Sequence, residues 1–225
     1  MEQPSRGEEG AVGNEKNQDG TTTTTSARRT RANGRQSRRK IIEAAAAVAG
    51  ERGYEGTSIA KVSKASGLPA SSIYWHFKDK DALLAAVVEE GVELWLAKVT
   101  RASGESMPDR VVSLCRGVAA TLSESPDFIR LGLMLALEKR PVETAARELY
   151  LRLRGEATDS LAAQLLDMRP GLSPEQAEEL AIYAFAGGDG IFLAAQFGEV
   201  DVDALFAMHA RAMIHLIDAA SDVDG

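Results

Sequence analysis

Apolar residues three or four positions apart recur from residue 36 almost to the end of the chain, and no segment alternates between apolar and polar residues as a half-buried strand would. Prolines, glycines and short polar segments divide this pattern. The pattern therefore predicts an all-α fold. The predicted helices cover residues 36–52, two short segments starting at Thr57 and Ala70, residue 79 to about 101, and then about 108–123, 126–139, 141–167, 173–197 and 201–220.

The two short helices lie on either side of a tight turn at residues 66–69, which read Ser-Gly-Leu-Pro. A short helix, a turn and a second short helix form a helix-turn-helix, whose second helix enters the major groove of DNA. Ile73 and Phe77 are four residues apart, so both would face the protein core. The second helix would then expose small hydroxyl and aromatic side chains, namely Ser71, Ser72, Tyr74 and Trp75.

Basic residues are concentrated in the same part of the chain. The net charge is −7, yet residues 28–80 carry twelve bases and four acids, whereas residues 81–225 carry twelve bases and twenty-four acids. Seven of these bases lie between Arg28 and Lys40. Lysine and arginine release counterions from phosphates and supply most of the sequence-independent affinity for DNA. A solvated charged surface would also explain one basic run, but not a run beside a helix-turn-helix.

Residues 35–90 resemble the TetR family of one-component transcriptional regulators. The resemblance implies a three-helix DNA-binding domain over residues 34–80 and a helical effector-binding and dimerisation domain over residues 81–225. It rests on Gly-Tyr-Glu-Gly-Thr-Ser at 53–58, Ala-Ser-Gly-Leu at 65–68, Ser-Ile-Tyr-Trp-His-Phe at 72–77 and Lys-Asp-Lys-Asp-Ala-Leu-Leu at 78–84.

One residue departs from the family pattern. Pro69 stands where many members place a Ser or Thr that caps the DNA-reading helix. Proline fits the first helical turn, so the helix would survive without this cap. The residues that we expect to contact DNA are Arg35, Thr57, Ala70, Ser71, Ser72, Tyr74, Trp75, His76 and Lys80.

The N-terminal segment differs in composition from the rest of the chain. Residues 1–33 are rich in Glu, Gly, Asn and Thr and contain almost no large apolar residues, so we expect them to be disordered. The segment becomes basic towards its end, with Arg28, Arg29 and Arg31. Such an arm can follow phosphates or enter a minor groove. Nonspecific attraction to DNA is the alternative.

The last two predicted helices have unusual surfaces. Apolar residues surround almost the whole of the last one between Ala204 and Ile217, and a helix of this kind is buried on more than one side. The helix before it has three glycines within residues 187–190, which permit close approach of another helix. We expect a four-helix bundle with a second copy of the chain, with Gly188 and Leu216 at the contact. A core buried within one subunit is the alternative.

A small-molecule site is expected among the helices after residue 81. Asp189 is the only carboxylate between the aromatic residues Phe185 and Phe192, which lie on the same helical face. A carboxylate in apolar surroundings requires a ligand group, an arginine partner or water. The candidate lining residues are Trp95, Phe128, Leu131, Met134, Tyr150, Phe185, Asp189 and Phe192.

Other protein classes find less support in the sequence. No apolar run approaches the roughly 18–20 residues of a membrane span, and no signal peptide follows Met1. A single cysteine, Cys115, fits a reducing cytoplasm. The three histidines are scattered and no glycine-rich phosphate loop follows a strand, so we predict no enzyme, no cofactor and no metal site.

The resemblance thus implies a cytoplasmic homodimer that represses transcription from a palindromic operator in double-stranded DNA. A small-molecule effector would release it by tilting the helix that begins near residue 80. Two alternatives stay open, an activator and a nucleoid-type DNA-binding protein without an effector. The long helical region after residue 80 argues against the second, because DNA binding alone does not need it.

Overall fold

The computed structural model describes residues 20–99, 103–124, 126–138 and 144–221. Every regular element within these residues is an α-helix, which confirms the all-α prediction. The helices are α1 (Gly20–Gly56), α2 (Ile59–Ser66), α3 (Ala70–His76), α4 (Lys80–Val99), α5 (Met107–Glu124), α6 (Pro126–Leu137), α7 (Ala145–Met168), α8 (Pro174–Phe197) and α9 (Val202–Ser221).

The first helix is longer than the sequence predicted. α1 begins at Gly20 rather than near residue 36, so residues 20–33, for which we expected disorder, continue the helix. The added segment contains no proline, and each residue that extends a nucleated helix gains one hydrogen bond. Helical geometry breaks at Gly53, as predicted, where φ is 67°. The first 19 residues, which belong to the same disorder prediction, lie outside the described residues.

Two compact units divide the chain, and their boundary lies inside α1. The boundary follows Ser37, so the described residues from Arg38 onward belong to the second unit. The first half of α4 packs together with α1, α2 and α3 in one hydrophobic core, which extends past residue 80; the division into functional domains after residue 80 stays a prediction. We call this cluster the N-terminal core. Its fully buried large side chains are Ile41, Val62, Ile73, Leu83, Leu84, Val88, Leu131 and Leu135.

The remaining buried residues form two clusters in the C-terminal part of the chain. One lies among α5, α7, α8 and α9 and is centred on Leu165, Ala181, Met213 and Ile217. A smaller one joins Ala119, Leu122, Phe192 and Phe206. The apolar faces of these helices therefore pack against one another and form cores separate from the N-terminal core.

Side-chain caps fix the start of these helices. The Ser173 hydroxyl accepts the Gln176 N–H at 3.2 Å, and the Gln176 side chain accepts the Ser173 N–H at 2.8 Å. This capping box begins α8 where it was predicted. α7 begins later than the predicted residue 141, because Thr144 is its N-cap and accepts the Arg147 N–H.

The helix α8 combines length with low polarity. An 18-residue window within it has a mean hydropathy of 1.4 and is 17% buried, so by length and composition alone it could cross a membrane. The sequence did not indicate this, because small and charged residues interrupt its apolar runs. α8 packs against α7 and α9.

Candidate DNA interface and ligand cavity

Hydroxyl groups and one glycine hold the turn between α2 and α3. Gly67 ends α2 with a φ of 68°, a left-handed conformation that favours glycine. The Ser63 hydroxyl donates to the Leu68 carbonyl at 2.7 Å, and the Ser66 hydroxyl accepts the Leu68 N–H at 3.3 Å. These contacts set the direction in which the chain enters α3.

Packing, rather than a side-chain cap, holds α3 in place. Pro69 is the N-cap, in an extended conformation and without a side-chain hydrogen bond. α3 therefore lacks a side-chain cap, as the sequence suggested. Pro69 lies just before the first helical turn rather than within it. Ile73 is fully buried and Phe77 is 6% exposed, both in the N-terminal core, as predicted.

The opposite face of α3 is open to solvent. Tyr74 is 57% exposed and Trp75 is 77% exposed. Lys78 lies one turn further on, and its side chain is 82% exposed. Aromatic and hydroxyl groups on a short helix, with a lysine just after its end, suit base edges and phosphates. The predicted neighbours on the helix are the exposed Ser71 and the partly buried Ala70 and Ser72.

Thr57 does not belong to this exposed face. Its side chain is 2% exposed, and its hydroxyl donates to the Gly53 carbonyl at 2.7 Å. The N-cap of α2 is Ser58, whose hydroxyl accepts the Lys61 N–H at 3.3 Å. α2 thus begins at Ile59 rather than at the predicted Thr57, because the break at Gly53 leaves a carbonyl that the Thr57 hydroxyl satisfies. Its burial also argues against a direct contact with DNA.

Lys80 is largely occupied within the protein. Its ammonium group donates to the Tyr54 carbonyl at 3.1 Å and lies 4.0 Å from the centre of the Tyr54 ring. The Glu55 carboxylate is 3.9 Å away. Lys80 therefore ties the start of α4 to the end of α1. α4 begins close to the predicted residue 79, and the Asp79 carboxylate accepts the Ala82 N–H at 2.8 Å.

His76 and Arg35 complete the predicted DNA-contact set. Arg35 is exposed on α1. The His76 ring is half-buried, and its centre is 4.5 Å from that of Trp75 in an edge-to-face arrangement. Burial lowers the pKa of His76 and the Arg38 charge lowers it further, so the imidazole is neutral at pH 7. No group of three or more His, Cys, Asp or Glu residues in the described part of the chain is placed to hold a metal ion.

A cavity of about 170 Å³ lies among the helices α4 to α9. Its walls are mostly apolar, with Val92, Leu114, Val118, Leu161, Phe206 and Met213 among them. The polar groups are few. They belong to Tyr150, Arg154, Ser160, Gln164, Asp189 and His209.

Five of the eight predicted lining residues meet at this cavity, and three do not. Leu131 is fully buried in the N-terminal core, and Phe192 belongs to the small cluster with Phe206. The sulfur of Met134 lies 3.9 Å from the position that a Cβ of Gly53 would occupy. These side chains lie on parts of α6 and α8 that face other cores. The five residues at the cavity are Trp95, Phe128, Tyr150, Phe185 and Asp189.

Sequence reasoning missed Arg154, which is the partner of Asp189. The two side chains form a bidentate ion pair, with nitrogen–oxygen distances of 2.5 and 3.3 Å, and each is 29% exposed. The guanidinium carbon lies 4.2 Å from the centre of the Phe185 ring. One turn separates Arg154 from Tyr150 on α7, so helical periodicity places both on one face but does not identify Asp189 as the partner of Arg154.

Burial changes the protonation of the other polar groups in the cavity. It raises the pKa of Tyr150, and it raises the pKa of the Cys115 thiol to about 11. Burial also lowers the pKa of His209, which a hydrogen bond to the Ala184 carbonyl at 3.1 Å partly opposes. At pH 7 the phenol, the thiol and the imidazole are therefore all neutral.

α8 and α9 expose apolar side chains on the surface away from the cavity. Gly188 lines the cavity, and Leu216 is partly buried against the neighbouring core; their contact with a second subunit stays a prediction. Gly187 admits the His209 ring of the same subunit, since a Cβ there would lie 2.2 Å from it. The large exposed residues are Ile182 at 54%, Tyr183 at 50%, Leu193 at 41%, Phe197 at 86% and Met208 at 58%.

Comparison with known proteins points to the same N-terminal region. The family model of bacterial regulatory proteins, tetR family, matches residues 41–87. The chain is 35% identical over 54 residues to the HTH-type transcriptional regulator AcrR of Shigella flexneri, which is 24% of this chain and 25% of that protein. It is also 34% identical to the HTH-type transcriptional repressor Rv1474c of Mycobacterium tuberculosis over 64 residues. This aligned segment covers 28% of this chain and 34% of that protein. The match thus spans about a third of these relatives or less.

The fold extends the similarity beyond that region. A crystal structure of a transcriptional regulator of the TerR/AcrR family from Aquifex aeolicus superimposes with a TM-score of 0.65 and 17% sequence identity. The superposition covers 80% of this chain and 99% of that one. At this identity the likeness concerns the fold alone.

Proposed function

We propose, from the premise that residues 41–87 form a DNA-binding domain of the TetR family, that this protein is a cytoplasmic transcriptional repressor. It binds a palindromic operator as a homodimer, and a small molecule releases it. The observation that carries the proposal is α3, which is anchored by Ile73 and Phe77 and exposes Tyr74 and Trp75. An exposed aromatic pair on an anchored helix, within the segment of the chain that is richest in bases, matches the chemistry of a DNA groove.

The exposed surface of α8 and α9 supports the homodimer. Ile182, Tyr183 and Met208 are each at least half exposed, and large apolar patches on a protein surface mark contact sites. Gly190 has open space around its Cβ position, so another helix can approach closely there. A two-fold contact buries these groups on both subunits and places two copies of α3 on one operator.

α4 supports the release by an effector, because it touches both functional regions. Leu83, Leu84 and Val87 in its first half belong to the N-terminal core. Val92 and Trp95 in its second half line the cavity. A ligand that displaces the second half of α4 therefore also moves the helix-turn-helix.

α7 provides a second connection between the cavity and the DNA-binding region. The Asp81 carboxylate of α4 accepts the backbone N–H groups of Ala145 and Ala146 at 2.9 and 3.3 Å. Tyr150 and Arg154, further along α7, line the cavity. A shift of α7 on ligand binding is thus transmitted to the first turn of α4.

The energy of this coupling sets a requirement on the ligand. The effector must bind the conformation that cannot bind DNA better than the one that can. A change from 1:99 to 99:1 requires about 5.5 kcal/mol of differential affinity. A mostly apolar cavity can supply it when a ligand fits only one of the two arrangements.

Selection of binding sites from random DNA tests the proposed function. The full chain should enrich a sequence with two-fold symmetry, and gel shifts with that sequence should give a complex of two subunits. Operator placement in transcription assays separates a repressor from an activator. Enrichment of no sequence at all would favour the nucleoid-type alternative and contradict the proposal.

Salt dependence identifies the phosphate contacts. Log K falls as log salt rises, and Lys78→Ala should make this fall less steep. The slope should shrink in magnitude by about 0.9 for each lost phosphate contact, which is about 1.8 for a dimer that loses one contact in each subunit. Lys80→Ala should change the slope less and instead lower the thermal stability, because its ammonium group binds the Tyr54 carbonyl. Arg152→Ala, which removes an exposed charge on α7, is the matched control. Equal slopes for wild type and Lys78→Ala would exclude the contact.

A further inference from the structure

The two charged side chains that line the cavity neutralise each other in an ion pair. Among the residues that line it in the described part of the chain, Arg154 and Asp189 carry the formal charges, and they bind each other through two hydrogen bonds. His209 adds no charge, because burial lowers its pKa and its Nε2 lies 3.1 Å from the Ala184 carbonyl oxygen. The rest of the wall is almost entirely apolar.

This balance disfavours a charged ligand of either sign. An anion would have to take Arg154 from Asp189 and leave that carboxylate without its partner in a half-buried site. A cation would do the reverse and leave Arg154 unpaired. Breaking one side of a buried ion pair costs more than the pair itself contributes, because the remaining charge is uncompensated.

Tyr150 offers a hydrogen bond without charge. Its side chain is 8% exposed and lines the cavity. As a phenol it can donate its hydroxyl hydrogen to an acceptor on a ligand. The phenol stays protonated at pH 7, since burial raises its pKa.

We infer that the effector is an uncharged, mainly apolar molecule with one hydrogen-bond acceptor, which meets the Tyr150 hydroxyl while the Arg154–Asp189 pair stays closed. This inference rests on the proposed function, because it takes the cavity as the effector site. The cavity of about 170 Å³ is comparable to an apolar cavity of about 150 Å³ that binds benzene. A ring with a short substituent is therefore a suitable probe.

Four probes of one size separate the chemical classes. They are acetophenone, ethylbenzene, benzoate and benzylammonium, titrated into the full chain by calorimetry at pH 7.5. Acetophenone should bind at least about tenfold more tightly than either ion, which is the ratio expected for leaving a half-buried charge unpaired. Ethylbenzene should bind about fivefold more weakly than acetophenone, since it lacks the acceptor.

Two sets of variants locate the binding and test its cause. Tyr150→Phe should remove the advantage of acetophenone over ethylbenzene and leave ethylbenzene unchanged. Asp189→Asn should shift the preference towards benzoate, and Arg154→Gln should shift it towards benzylammonium, because each leaves one charge unpaired. Ala157→Leu narrows the cavity and should abolish binding of all probes, whereas Ala163→Leu on the exposed side of the same helix should not.

The wild-type titrations decide the inference even if a variant fails to fold. Tightest binding of benzoate or benzylammonium, or no binding of any probe, would overturn it. Binding that Ala157→Leu leaves unchanged in a folded protein would also overturn it, since the probes would then bind elsewhere. Operator gel shifts run in parallel keep the two proposals apart. A protein that binds acetophenone and no DNA contradicts the proposed function, whereas a protein that benzoate releases from DNA contradicts only the ligand class.

Discussion

Ile182→Glu and Met208→Glu are expected to convert the dimer to monomers and to abolish operator binding at physiological salt. Each side chain is more than half exposed in the single chain, at 54% and 58%, so the variants should fold as well as the wild type. In the dimer each glutamate would be buried without a partner, at a cost of about 3 kcal/mol. Because the two-fold axis repeats the change, the cost is about 6 kcal/mol, or roughly four orders of magnitude in the dimer dissociation constant.

Sedimentation or light scattering measures the assembly, and gel shifts with the selected operator measure the consequence. A monomer reaches one half-site and makes half of the contacts, so specific binding should fall with the loss of the dimer. Leu137→Glu is the matched control, since Leu137 is 77% exposed on α6, outside the α8 and α9 surface. If both glutamate variants keep the mass of a dimer, the proposed contact is wrong.

The sequence was sufficient where a residue's role depends on its immediate neighbours. The positions of Ile73, Phe77, Tyr74 and Trp75 follow from helical periodicity alone, and burial in the structure agrees with each of them. The break at Gly53 was predictable for the same reason, because glycine tolerates a φ of 67°. Local rules therefore located the DNA-reading helix and the face that it exposes.

The sequence was insufficient where a role depends on residues far apart in the chain. Arg154 and Asp189 are 35 positions apart, and Lys80 and Tyr54 are 26 apart. Periodicity placed Asp189 on an apolar face but could not choose between a ligand and an arginine partner. Likewise, it could not show that Gly188 lines the cavity or that Leu216 packs against the neighbouring core. Tertiary packing decides such cases.

The α1 helix shows a different limit. Composition indicates whether a segment can bury an apolar core of its own, and by this measure residues 20–33 should be disordered. A helix needs no core for its own hydrogen bonds, however, and it continues along a polar segment once it is nucleated. The continuation carries the basic residues near Arg35 as part of α1.

Tyr74→Ala is expected to lower the operator affinity by about a hundredfold or more, with no change in folding or dimer mass. The Tyr74 side chain is 57% exposed, so its removal costs little packing in the free protein. A good side-chain contact to bases is worth about 1–3 kcal/mol, and a dimer on a palindrome loses it twice. A loss of about 3 kcal/mol in total already corresponds to more than a hundredfold.

Tyr74→Phe separates the two parts of this side chain. If the ring supplies the contact through apolar packing with bases, the phenylalanine variant should keep most of the affinity. If the hydroxyl hydrogen-bonds to a phosphate or a base, Tyr74→Phe should lose about as much as Tyr74→Ala. Gel shifts over a salt series distinguish the two partners, because only a lost phosphate contact weakens all DNA sequences alike. Wild-type affinity of Tyr74→Ala at every salt concentration would remove the exposed face of α3 from the DNA interface, and with it the observation on which the proposed function depends.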